Sequence, residues 1–215
     1  LVQGQLENGL RYIILPNKLP PHRFEAHLEI HAGSVDELPT EQGIAHLVEH
    51  VTFLGSKRRE ALLGTGARAN AYTDFHHTVF HVHAPIVNQT SKAPMLPQVL
   101  EALEEIAFHP EFLAARIEKE RLAVTAEAQM MNTIEYRVDC QLLQYLHYEN
   151  NLGFRFPIGK MEQVAKWPHT QLRDFWSKWY YPANATLLVV GDLDRDMESM
   201  HALIQRTFGH IPAAV

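Results

Sequence analysis

Hydrophobic and polar residues alternate most regularly from Phe24 to Ala32, where Phe24, Ala26, Leu28, Ile30 and Ala32 are separated by Glu25, His27, Glu29 and His31. A period of two sorts the two sets onto opposite faces of a pleated strand, so the stretch predicts a half-buried antiparallel strand. Thr78 to Ala84 repeats the signal, with Phe80, Val82 and Ala84 set against His81 and His83. Leu10 to Leu15 is a short apolar run between Gly9 and Pro16, and Ala185 to Gly191 carries Leu187, Leu188, Val189 and Val190 in succession. The first reads as a strand and the second as a buried strand.

A period near 3.6 takes over elsewhere. Leu96, Val99, Leu100, Leu103, Ile106 and Ala107 lie opposite Glu101, Glu104 and Glu105, an amphipathic helix that Pro110 ends, and the next helix is expected from near Glu111 through Glu127. Leu142, Leu143, Tyr145 and Leu146 continue the helical spacing as far as Asn150, with Cys140 expected to pack in the core. Gly153 to Lys160 reads as a loop packing its aromatics against the body. Leu172, Phe175, Trp176 and Trp179 form a stripe behind a Thr170 cap, and a last helix from Asp196 to Phe208 stops at Gly209. Pro39 is placed to begin a helix that ends near Gly55. Four or five strands and five or six helices, without strict alternation or repeats, argue for an α+β fold. No linker divides the chain, so residues 1–215 are expected to form one domain.

The chemistry gathers at His46-Leu47-Val48-Glu49-His50. On a helix, imidazoles at i and i+4 share a face, with the carboxylate beside them. Two neutral imidazoles suit two corners of a zinc tetrahedron, and a glutamate that does not bind the metal can take a proton from water that the metal activates. The order H-x-x-E-H is that of the inverted zincins. A third ligand is required, and Glu120 and Glu127, seven residues apart, project from one helical face. One of them can bind metal while the other orients a histidine through its second nitrogen.

His46-x-x-Glu49-His50, followed after 76 intervening residues by Glu127 with Glu120 seven before it, resembles the signature of the pitrilysin/insulinase metallopeptidase family. The resemblance implies His46, His50 and Glu127 as zinc ligands for one Zn²⁺ per chain, Glu49 as general base and Glu120 as the support of a ligand histidine. It also implies an antiparallel sheet with helices on one side. Asn70, Ala71, Tyr72 and Thr73 would then lie on an edge strand that pairs with the backbone of an extended peptide. Runs such as Gly33-Ser34-Val35-Asp36-Glu37, Phe53-Leu54-Gly55-Ser56-Lys57 and Asn70-Ala71-Tyr72-Thr73-Asp74-Phe75-His76-His77-Thr78 are similar to a branch of the family that removes transit peptides from precursors imported into chloroplasts. Precursor peptides in the chloroplast stroma are the expected substrates. Active family members enclose substrate between a metal-bearing half and a second half, so this chain is expected to be a fragment that works with a C-terminal half and cleaves weakly alone.

Composition adds limits. With 19 Lys+Arg against 25 Asp+Glu, a formal net charge of −6 gives no electrostatic reason to expect nucleic acid. No apolar run reaches bilayer-spanning length, so no membrane partner is expected. The single Cys140 excludes an internal disulfide and a cysteine-built zinc site. His76, His77, His81 and His83 read as solvent-facing, because no carboxylate follows Asp74 in that stretch. Three alternatives keep parts of this reading: a mitochondrial-type presequence peptidase of the matrix or a general peptide-degrading relative, a non-catalytic presequence-binding scaffold, and a structural zinc domain.

Overall fold

The computed structural model describes residues 1–193 and 196–214. Six strands, β1 (Val2–Gln5), β2 (Arg11–Pro16), β3 (Arg23–Ile30), β4 (Arg68–Thr73), β5 (Thr78–Pro85) and β6 (Ala185–Gly191), form one sheet in the order β1-β2-β6-β3-β5-β4. Alternation in β3 and β5 is realised as read: Phe24, Ala26, Leu28, Ile30, Phe80 and Val82 are buried, while Glu25, His27, His81 and His83 stay on the opposite face. The expected antiparallel sheet is corrected at one place, since β2 and β6 run parallel and the sheet is mixed. β6 alternates buried and half-buried positions, so only one of its faces meets the core. β1 was not anticipated, because Val2-Gln3-Gly4-Gln5 carries no apolar pattern and owes its conformation to pairing with β2.

Eight α-helices occur among the described residues: α1 (Ile44–Gly55), α2 (Lys57–Ala61), α3 (Met95–Phe108), α4 (Ala114–Met131), α5 (Ile134–Leu146), α6 (Met161–Val164), α7 (His169–Trp179) and α8 (Met197–Phe208). The core lies between the sheet and α1, α3, α7 and α8, and includes Leu47, Val51, Leu100, Leu103, Leu172, Phe175, Ile204 and Phe208. Several boundaries differ from expectation. α1 starts at Ile44 behind Gly43, which sits at φ 100°, and Pro39 belongs to the preceding turn. α4 starts three residues after Glu111, and Pro168 rather than Thr170 precedes α7. Gly209 does close α8, but in right-handed backbone.

The largest misplacement is α5. It buries none of its residues, and Ile134, Val138, Leu142, Tyr145 and Leu146 are exposed. Cys140 is accordingly half-buried rather than in the core. Periodicity showed that α5 has an apolar side, but not whether anything packs there. In the loop after it, Phe156 packs against Phe75 and Tyr136 as expected, while Phe154 is half exposed. Arg121 is buried and donates to the carbonyls of Val164 and Trp167, tying α4 to the α6–α7 connection.

Candidate metal centre

α1 carries His46, Glu49 and His50 on one side, and α4 packs against it with Glu120 and Glu127 two turns apart. The N-terminus of α1 is held by Glu37, whose buried carboxylate accepts from the Gly43 N–H at 2.9 Å and the Ala45 N–H at 3.0 Å. Burial pushes the Glu37 carboxyl up to about 8, against the pull of those two donors. Gly43 must be glycine twice over: its φ is positive, and a Cβ there would lie 2.9 Å from the Cα of Gly159 in the loop before α6. The helix is thus clamped at its start, where the metal motif begins.

Three donor atoms converge. His46 Nε2 and His50 Nε2 lie 3.2 Å apart, and Glu127 Oε2 is 3.6 Å from the first and 3.5 Å from the second. A tetrahedral zinc with ligands at its usual bond lengths needs donors about 3.3 Å apart. The trio therefore fits such an ion with little movement, and no other protein oxygen or nitrogen is required on the open side. His50 turns its second nitrogen, Nδ1, toward Glu120 Oε2 at 3.5 Å, and Glu120, which is 2% exposed, is itself faced by Arg116 at 3.5 Å. Glu120 is thus placed to orient His50, as carboxylates behind ligand histidines do.

Glu49 lies beside the trio without joining it, with Oε2 4.0 Å from His46 Nε2. Burial raises its carboxyl to about 7, while His50 and a 3.4 Å hydrogen bond from Thr73 Oγ1 oppose the rise. Burial, aided by His50, lowers His46 to about 4. For His50 burial is outweighed by Glu127, Glu49 and Glu120, which raise it. Glu127, half exposed at the mouth of the site, is lowered chiefly by its hydrogen bond from His50.

Asn70, Ala71, Tyr72 and Thr73 lie on β4, the terminal strand of the sheet, which among the described residues pairs with β5 alone. α1 packs against β4, and Thr73 Oγ1 reaches Glu49 at 3.4 Å. Sequence reasoning did not find Glu37, the Thr73–Glu49 contact, or the cleft of about 330 Å³ that Phe75, Tyr136, Cys140, Leu143 and Phe156 form next to His46 and Glu127. Glu37 lacked a signal because glycine, not a capping side chain, precedes α1; the cleft joins segments far apart in sequence.

The family model described as insulinase (peptidase family M16) matches residues 12–153, and a second model, the peptidase M16 inactive domain, matches residues 166–214. The chain belongs to the insulinase family. Within it, the stromal processing peptidase, chloroplastic, of Arabidopsis thaliana is 64% identical over 209 residues, covering 97% of this chain and 16% of that protein. The probable zinc protease PqqL of Escherichia coli (strain K12) is 34% identical over 223 residues, covering 99% of this chain and 23% of its own length. Among solved structures, the periplasmic protease PqqL from Escherichia coli superposes with a TM-score of 0.90 over 100% of this chain and 24% of that one, at 34% identity. This insulinase-family chain thus spans between a sixth and a quarter of the length of these relatives.

Proposed function

We propose that this chain is the metal-bearing part of a zinc metalloendopeptidase that removes transit peptides from precursors in the chloroplast stroma. The observation that carries the reading is the convergence of His46 Nε2, His50 Nε2 and Glu127 Oε2 within 3.2–3.6 Å, with Glu49 alongside and a free strand edge above it. The 64% identity to a chloroplast stromal processing peptidase supports the substrate class and compartment. A zinc held by His46, His50 and Glu127 would supply Lewis acidity to a water and to the scissile carbonyl.

The chain's own residues do the rest. Glu49, buried with its carboxyl near 7, takes a proton at Oε2 and returns it to the leaving amine. Thr73 Oγ1 steers that carboxylate. The unpaired edge of β4 adds the substrate as a further strand, so Asn70, Ala71, Tyr72 and Thr73 hold it chiefly by backbone hydrogen bonds and make modest sequence demands. The cleft of Phe75, Tyr136, Leu143 and Phe156 accepts a side chain next to the scissile bond. A C-terminal half of the same enzyme completes the enclosure, a partner suggested by the share of each relative that this chain spans.

Glu49→Gln tests the roles. The variant, in this chain and in a longer protein containing it, is expected to keep zinc and lose precursor cleavage by about 10²–10⁴-fold. Loss of zinc, or unchanged cleavage, would refute the assignment. Cleavage of a chloroplast precursor at a single junction supports the substrate, whereas shredding of free peptides favours the degradative alternative.

A further inference from the structure

The face of the sheet turned away from the helices holds a second convergence of donors. Glu29 and His31 are two residues apart on one face of the β3 segment, and the Ile30–Thr78 register sets His77 opposite His31 one step further along. Glu29 Oε1 consequently lies 3.4 Å from His77 Nε2 and 3.9 Å from His31 Nδ1, and the three donor atoms all fall within 4.8 Å of one another. Read along the chain the histidines of this hairpin lacked a carboxylate; the neighbouring strand provides it.

We propose that Glu29, His31 and His77 form a second divalent-metal site, which takes zinc or a similar imidazole-preferring cation and clips the turn of the β4–β5 hairpin to β3. Both imidazoles are already held by their other nitrogen. His31 Nε2 is 2.9 Å from Thr186 Oγ1, and His77 Nδ1 is 3.5 Å from Asp74 Oδ1. Asp74 is anchored in turn, since its Oδ1 accepts from the His76 and His77 N–H groups at 2.7 Å each and its carbonyl accepts from the Ser34 N–H. Asp74 favours the Nδ1–H tautomer of His77 and so leaves its Nε2 lone pair toward Glu29, while Thr186 Oγ1, able to donate or accept, holds the His31 ring with Nδ1 toward the same carboxylate. Burial, opposed by Glu29 and aided by Arg11 and His77, holds His31 below its ordinary value, which favours the neutral form a metal needs. Glu29 lies 3.4 and 3.9 Å from the two imidazole donors and the third spacing falls within 4.8 Å, a looser set than the 3.2–3.6 Å of the first site, which rotation of these part-exposed side chains would close.

A third group, Glu104, His109 and His210, is the weaker candidate. There Glu104 Oε1 already sits at hydrogen-bond distance, 2.8 Å, from His109 Nε2, and Arg58 and Arg206 line the same cleft and repel a cation.

Zinc titration by calorimetry, with bound metal counted after dialysis, separates the outcomes. Wild type is expected to take two equivalents, His77→Ala one, His46→Ala one, and the double variant none. Glu29→Gln, which keeps the volume of the side chain, is expected to match His77→Ala, and a retained circular dichroism spectrum shows that the loss is not unfolding. In the His46→Ala background, zinc is expected to shift the imidazole nitrogen resonances of His31 and His77. A single equivalent in wild type that vanishes in His46→Ala would overturn the proposal. So would a second equivalent that survives His77→Ala and Glu29→Gln, or resonances of His31 and His77 that respond to protons only.

Discussion

His46, His50, Glu127 and Glu49 share very little space, and their protons are distributed unequally. His46, held near 4, is a free base at any physiological pH, whereas the carboxylates around His50 raise it above its ordinary value, so protons compete with a metal more strongly there. A proton lost on metal binding makes affinity pH-dependent. Zinc affinity is therefore expected to fall as pH drops through the raised His50 value, by about tenfold per pH unit below it. Calorimetric titration across that range measures the slope; an affinity flat below 6.5 would show that His50 is not the competing group. Glu120→Gln removes the carboxylate that faces His50 Nδ1 and is expected to weaken zinc about 10–100-fold. An equal loss of affinity in Arg116→Gln would instead point to a general disturbance of α4.

At the scale of elements, the site depends on how α1 is started and what it meets. Glu37→Ala leaves the buried N–H groups of Gly43 and Ala45 without their acceptor and is expected to destabilise the fold by about 2–4 kcal/mol, measured by urea unfolding. Zinc affinity should fall with it, because His46 sits in the first turn of α1. A change below 0.5 kcal/mol, an order-of-magnitude bound typical of exposed positions, would remove Glu37 from the account. Some of this was legible in the sequence. His46, Glu49 and His50 are local, and helical spacing alone puts them on one side, while the distance to Glu127 became informative through family resemblance. β3 and β5 were legible because one buried face imposes a period of two. The helical run of α5 was legible but its exposure was not, since an amphipathic period says nothing about what covers the apolar side. The Thr170 cap and the Pro39 start failed for a related reason: a preferred residue type marks a neighbourhood, and the neighbouring contacts choose the position.

Across the whole molecule, β6 enters the sheet between β2 and β3, so the residues matched by the second family model complete the sheet begun by the first. That parallel β2–β6 pairing needs a long crossover and leaves no local mark in the sequence. Among the described residues, no helix is long and apolar enough to cross a membrane. A cation bound by His46 and His50 from α1 and Glu127 from α4 ties two helices of this body together. Zinc at about 100 times its dissociation constant is then expected to add about 2.7 kcal/mol of stability. That corresponds to a rise in unfolding temperature of about 5–10 °C for a chain of this size. The rise should shrink in His46→Ala and reverse on chelation, and an unfolding temperature indifferent to chelator would contradict the coupling.

Hydrolysis at this site requires that three donors from α1 and α4 hold a cation and leave a position open toward Glu49. Anomalous diffraction at the zinc edge from crystals of this chain tests it most directly. A peak is expected within bonding distance of His46 Nε2, His50 Nε2 and Glu127 Oε2, with a solvent oxygen in the fourth position facing Glu49. A peak missing from that point, or an ion there closed off by a fourth protein ligand, would contradict it.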